Sequence, residues 1–154
     1  MKKKSFAEAE CPIARALDVV GDWWSLQIVR DALRGVRRFT DFAQGLGVAK
    51  NILADRLKRL VGAGILQVVP ASDGSAYNEY VLTAKGRDLW VLLVALRQWS
   101  DRWIPGANEY GQVLVDAQNG EPVAPLELHA SDGRKLDLTD LRLVASASTR
   151  AKSA

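Results

Sequence analysis

Residues 37 to 65 constrain this chain more than any other stretch. Arg37-Arg38 precede a short run, Phe39-Thr40-Asp41-Phe42, and a turn at Gly45-Leu46-Gly47 follows. Beyond the turn, Leu53, Leu57 and Leu60 recur at spacings of four and three, with Val61 alongside, which makes one stripe of a helix. Gly62-Ala63-Gly64 closes that helix, and Ile65-Leu66-Gln67-Val68-Val69 reads as a strand. Two short helices about a glycine turn, with a strand behind them, form the pattern of a helix-turn-helix carrying a wing. That arrangement sets its second helix in a DNA groove.

The flanks complete the pattern. Pro12 suits the first position of a helix over roughly 12–20, with Ile13, Leu17 and Val20 on one side and Gly21 at its end. Asp22 can cap a second helix over roughly 23–34, with Trp24, Ile28 and Val29 inward and Gly35 as the stop. Phe39, Phe42 and Leu46 give the third helix its apolar side, and the fourth spans roughly 49–62. Asp73-Gly74 is a turn, and Tyr77 to Leu82 alternates as the returning strand of the wing. Thr83 caps a last helix expected over roughly 84–103. Its residues Leu89, Trp90, Val91, Leu92, Leu93, Val94, Leu96, Trp99 and Trp103 make it apolar around most of its circumference. Such a helix needs cover on most sides. A chain this small lacks the cover, so the pattern predicts a subunit partner.

After Pro105-Gly106 the pattern changes to short alternating pieces. Asn119-Gly120 and Asp132-Gly133 between them are hairpin signals, so a small β-ribbon is expected over 105–145. The last residues, 146–154, are low in apolar bulk and are expected to be disordered. The fold class is therefore mainly α (α+β). It comprises an N-terminal arm over 1–10, a winged helix-turn-helix domain over 11–104 with a long dimerisation helix, the ribbon, and the tail.

Charge is distributed in keeping with that reading. The net charge is +3, and within residues 34–59 seven basic side chains face two acidic ones, Asp41 and Asp55. A phosphate-binding surface concentrates positive charge in this way, although a merely solvated helix face can do the same. No apolar run approaches the ~20 residues of a membrane span. The start, Met1-Lys2-Lys3-Lys4, is followed by Glu8, Glu10 and Pro12 where a signal peptide needs an apolar core. A cytoplasmic protein is expected. The single cysteine, Cys11, excludes an internal disulfide and a Cys-rich zinc site, and His129 has no partner cluster, so neither metal nor cofactor is expected.

Five segments in order carry a resemblance. They are Cys11-Pro12-Ile13-Ala14-Arg15-Ala16-Leu17, Val20 through Asp31 with Gly21-Asp22-Trp23-Trp24, Gly35 through Phe42, Asn51 through Leu60, and Tyr80-Val81-Leu82-Thr83-Ala84-Lys85-Gly86. Together they resemble the HxlR-type winged-helix transcriptional regulators over about residues 10–103. The resemblance implies a homodimeric bacterial DNA-binding regulator. Its first and last helices would make the dimer, through Ile13, Leu17, Leu89, Leu92, Leu93, Leu96, Trp99 and Trp103, and its fourth helix would enter the major groove. Two features depart from the family pattern. Ala49 stands where a hydroxyl residue often opens the fourth helix, and residues 67–79 contain no Lys or Arg. Without wing cations, either Ser72, Ser75, Asn78 and backbone make the wing contact to DNA or that contact is weak.

Roles follow from residue type. Arg37 and Arg38 are placed to meet phosphates, with Thr40 beside them. Projected at ~100° per residue, Asn51, Ala54, Asp55 and Lys58 lie opposite the apolar stripe. Asn51 can pair with adenine and Lys58 with guanine acceptors, while Asp55 can accept from cytosine or pair with Arg59 four residues on. Lys50 and Arg56 flank the stripe as phosphate or structural contacts. Cys11 lies at a helix N-terminus, where a thiolate is favoured. Some relatives of the resembled family sense quinones, aldehydes or oxidants through such a cysteine, which would make an electrophile or small molecule an effector. The competing reading is a small apolar residue at a dimer seam. The five tryptophans can line an effector pocket or pack a core or dimer interface. No CxxC, HExxH, GxSxG or Gly-rich phosphate loop occurs, so an enzyme is not expected. A protein-interaction module that kept the winged helix without binding DNA is the alternative, and the uncharged wing is the feature in its favour.

Overall fold

A computed structural model describes residues 5–109 and 111–144. The expected tail over 146–154 and the first four residues of the arm lie outside the described residues. The chain divides into two compact units, Met1–Arg97 and Gln98–Ala154.

In the first unit, helix α1 spans Pro12–Val20, α2 Trp23–Leu33, α3 Phe39–Leu46 and α4 Lys50–Gly62. Each starts where local chemistry allows it. Pro12 occupies the first turn of α1, where its missing N–H costs no bond. The Asp22 carboxylate accepts from the backbone N–H groups of Trp24 and Ser25, both at 3.0 Å, and so caps α2 as expected. Gly47 ends α3 in the left-handed region, at φ 61°, where a side chain would be strained. Ala49 opens α4 with no side-chain cap, consistent with its departure from the family pattern.

The α4 stripe forms the heart of the core. Leu53, Leu57 and Leu60 are fully buried together with Ile28 and Val29 of α2 and Phe42 of α3. Strands β1 (Leu66–Pro70) and β2 (Asn78–Leu82) pair antiparallel, with Leu66 opposite Leu82 and Val68 opposite Tyr80. This hairpin is the wing. Its buried ends, Leu66 and Leu82, join the same core.

The last helix differs from expectation. One continuous helix over 84–103 is replaced by α5 (Ala84–Arg87), a tight turn at Asp88 and Leu89, and α6 (Trp90–Trp103). The Leu89 N–H bonds back only three residues, to Gly86, before α6 begins. The side chains of α5 serve other ends instead. Lys85 Nζ donates to the Ala63 carbonyl at 2.7 Å and Thr83 Oγ1 to the Gly64 carbonyl at 2.6 Å. These two bonds satisfy carbonyls left open where α4 ends. Leu89 and Leu93, expected at a dimer interface, are half-buried and pack against the core of their own protomer.

In the second unit the ribbon is present in reduced form. Gly120 and Gly133 make the turns, at φ 75° and 86°, but each hairpin closes with a single bridge, Val115 to Pro122 and His129 to Lys135. A one-turn helix, η1, follows at Leu138–Asp140. Val113, Val115 and Leu128 are exposed, so these hairpins bury no apolar face of the kind that supports a longer ladder.

Candidate nucleic-acid interface

The turn from α3 to α4 places the expected reading face outward. Lys50, Asn51, Ala54, Asp55 and Lys58 are all exposed on α4, opposite its buried leucines. Asp55 binds within the helix. Its Oδ2 lies 3.0 Å from Arg59 Nε and 3.1 Å from Arg56 NH1. Pairing with Arg59, one of the two roles open to Asp55 from sequence, is therefore observed. Among the described residues, Lys50 and Lys58 have no ion pair, so their ammonium groups are the uncommitted cations of this face. Thr40 is exposed at the start of α3, and its hydroxyl donates to Asp41 at 3.1 Å.

Arg56 sits differently from the rest. It is only 21% exposed, and its Nε lies 3.1 Å from Asp22 Oδ1, although not aligned for a hydrogen bond. It ties α4 to the cap of α2, which is the structural one of its two expected roles. Burial opposes ionisation of Asp22. The Ser25 hydroxyl, the Ser25 and Trp24 N–H groups and Arg56 outweigh burial and hold its carboxyl below the usual range. Gly21, Asp22, Trp23, Trp24 and Arg56 line a shallow cleft of about 340 Å³ here.

The arginine pair before α3 meets the wing. Arg37 NH1 lies 3.5 Å from Glu79 Oε2, and the Tyr80 N–H donates to the Arg37 carbonyl at 2.8 Å. Glu79 is buried, and its other oxygen accepts from the Ser72 hydroxyl at 3.0 Å and the Ser72 N–H at 3.3 Å. Burial opposes its ionisation most strongly, yet Ser72 and Arg37 hold its carboxyl below the usual range. Arg38 NH2 donates to Asp73 Oδ2 at 2.5 Å and to Ser75 Oγ at 3.3 Å, and its guanidinium lies 5.8 Å from the Tyr77 ring centre. Ser75, and then Arg38, keep the Asp73 carboxyl low. Of the residues expected as wing contacts to DNA, the Ser72 hydroxyl is thus engaged inside the wing and the Ser75 hydroxyl by Arg38. Between α3 and the wing runs a cleft of about 490 Å³ lined by Arg38, Phe39, Thr40, Tyr77, Asn78 and Tyr80. Sequence reasoning missed Asp73 and Glu79 as partners of these arginines. The signal was present, because the wing holds two carboxylates and no cation, but the 35 and 42 residues separating the pairs hid it.

These carboxylates give stability a definite pH dependence. The folded-state values of Asp22 and Glu79 lie below the ordinary 3.8 and 4.5. In that window the unfolded chain binds more protons, so stability is complete above about pH 5 and is lost as pH falls through the folded values. Asp22→Ala is expected to cost about 1–2 kcal/mol at pH 7, through the cap. In thermal melts, that difference should shrink as pH falls to 3; a constant difference would contradict the assignment.

The elements stand in the order of a winged helix-turn-helix, and a model of the HxlR-like helix-turn-helix family matches residues 19–108. The chain belongs to that family. Residues 19–108 carry the helix-turn-helix fold of that family. The uncharacterized HTH-type transcriptional regulator Rv3095 of Mycobacterium tuberculosis is 44% identical over 93 residues, 60% of this chain and 59% of that protein. The match thus spans about three-fifths of that relative. The crystal structure of PA1607, assigned as a candidate transcription factor, superposes with a TM-score of 0.86 at 48% identity, over 93% of this chain and 100% of that one. The transcriptional regulator YodB of Bacillus subtilis, in its reduced form, gives a TM-score of 0.55 at 25% identity over 62% of this chain and 95% of its own. Its quinone-bound form gives 0.52 at 25% identity, over 60% and 100%. The family and these relatives are regulators rather than enzymes.

The remaining expected residues fall on exposed surface. Ile13 (70%) and Leu17 of α1 are exposed, as are Leu92, Leu96, Trp99 and Trp103 of α6. Helix α6 has no buried residue. Cys11 is exposed and caps α1 without a side-chain bond. Of the tryptophans, Trp24 packs against the core while Trp23, Trp90, Trp99 and Trp103 are exposed. No helix among the described residues is long and apolar enough to cross a membrane.

Proposed function

We propose that this regulator is a repressor that binds an inverted-repeat operator as a homodimer, with α4 in the major groove. The observation that carries this reading is the outward face of α4. Lys50, Asn51, Ala54 and Lys58 stand exposed on a helix whose other side is locked into the core by three leucines. A reading helix must be held rigidly from behind while its front stays free. Asn51 and Lys58 read bases, with Ala54 and Asp55 beside them, and Arg37, Thr40 and Lys50 meet phosphates. Arg37 keeps half of its side chain exposed beside Glu79, so it retains donors for a phosphate. The exposed apolar residues of α1 and α6 supply the second-copy interface, because surfaces of that kind mark association. Leu89 and Leu93, packed in part against their own core, have only their remaining exposed surface to offer it.

Asn51→Ala is expected to change which operator sequences are preferred, costing about 1–3 kcal/mol at one base position. Arg37→Ala should weaken every sequence alike and lower the salt slope by about one. Binding titrations on variant duplexes would show this; equal losses on operator and random DNA for both mutants would contradict it.

Cys11 is the proposed sensing residue. Its exposure at the start of α1 suits an electrophile adduct, and YodB has been crystallised with a quinone bound. Exposure to a quinone should add its mass at Cys11 and release DNA. An unmodified Cys11 with unchanged affinity would end this part of the reading.

A further inference from the structure

The wing and the arginine pair before α3 are linked in a way that DNA binding alone does not require. Residues 67–79 hold no cation, so the wing cannot be drawn to phosphates by its own charge. Its two carboxylates instead meet two successive arginines. Glu79 and Arg37 tie down the base, with Ser72 held to the same carboxylate. Asp73 and Arg38 tie down the tip.

The two arginines are not equivalent. Arg37 is 53% exposed and meets Glu79 only as a 3.5 Å ion pair. Arg38 is 32% exposed, and one of its terminal nitrogens serves both the Asp73 carboxylate and the Ser75 hydroxyl. The same guanidinium lies over the Tyr77 ring. Asp73 is itself fixed, because its Oδ1 accepts from the Ser75 N–H at 3.0 Å. Three residues of the wing tip therefore converge on one side chain.

We infer that Arg38 is a positioning residue that sets where the wing stands on DNA, rather than a phosphate contact. The inference rests on the DNA-binding reading above. A phosphate approaching Arg38 would have to displace Asp73 and would leave that carboxylate facing the DNA backbone. An isolated exposed ion pair adds little to stability, so the effect of this one falls on geometry. A planar guanidinium can donate from one nitrogen to a carboxylate and a hydroxyl while its face lies over a ring. A lysine keeps the charge but offers a single point. The surface of α4, with Arg37 and Thr40, then supplies the phosphate and base contacts, while the Arg38–Asp73 link decides how well the wing fits a particular duplex.

The test uses the full chain and a duplex that the wild-type protein selects from a random pool, with a scrambled duplex of the same composition beside it. Arg38→Lys and Asp73→Asn should each weaken the selected duplex by about tenfold, the scale of one lost contact. Both should leave the scrambled duplex within about twofold and the salt slope within half a unit, because no phosphate contact is lost. The double variant should be no weaker than either single one, because both break one link. Asp73→Asn keeps an acceptor for the Ser75 N–H, so it guards against a folding defect in the arginine variant. Wild-type binding by Arg38→Lys, with a salt slope lowered by about one in Arg38→Ala, would make Arg38 a phosphate contact and overturn the inference alone. Failure of the wild-type protein to select any duplex would overturn the DNA-binding reading, and this inference with it.

Discussion

Replacing both Lys50 and Lys58 with glutamate is expected to reduce DNA binding by roughly a hundredfold or more at low salt, with the fold intact. Both residues are exposed on α4, and neither has an ion pair among the described residues, so their loss breaks nothing within the protomer. Three other cations nearby are already engaged. Arg56 is paired with Asp22 and Asp55, Arg59 with Asp55, and Arg38 with Asp73. The basic surplus that the sequence shows over 34–59 is therefore mostly neutralised at the surface, and these two lysines carry much of what is left. Reversing both removes two cations and sets two anions against the phosphates. Thermal melting should stay within a few degrees of wild type, and a gel shift should read the loss. Retention of affinity within about threefold would mean that α4 does not face DNA.

Gly86→Ala is expected to damage the fold more than its size suggests. A Cβ built at Gly86 would lie 2.1 Å from the Ile65 carbonyl oxygen and 2.9 Å from Leu82 Cδ2. The first neighbour is backbone and cannot rotate away. It also accepts from the Thr83 N–H at 3.1 Å, so moving it strains the junction of α4, β1 and α5. Alanine gains about 1 kcal/mol in helix propensity. Overpacking against backbone exceeds that gain, and a net loss of about 3 kcal/mol, roughly 10 °C in Tm, is expected. A melting point within a degree or two of wild type would show that α5 can lift from the Ile65 carbonyl at little cost.

Gly86 also shows what could be read from the residues and what could not. It ends the motif Tyr80 to Gly86 that carries part of the family resemblance, yet nothing in the sequence gives a reason for a glycine. The reason lies twenty-one residues away, at Ile65. The α4 stripe was legible because one helix displays its own period, and Leu53, Leu57 and Leu60 are indeed fully buried. The Asp22 cap was legible because capping is local. The ion pairs of Arg37, Arg38 and Arg56 were not, since each joins elements that the chain brings together only on folding. The last helix was misread in one respect. Periodicity from Leu89 to Trp103 suggested one continuous element, but Thr83 to Arg87 form a separate turn that bonds to the end of α4 and to the wing. The same break turns Leu89 and Leu93 toward their own protomer, which leaves Leu92, Leu96, Trp99 and Trp103 exposed. Asn-Gly and Asp-Gly correctly marked turns in the ribbon, but turn chemistry says nothing about how far a ladder extends.

Reading of DNA by a dimer through α4 is tested by cleavage protection of a duplex that the wild-type protein selects. Two protected half-sites related by a dyad are expected, their centres one turn apart at roughly 34 Å. Within each half-site, Asn51→Ala should alter contact at one base position. A single protected patch without symmetry, or protection that survives glutamate at both Lys50 and Lys58, would contradict it.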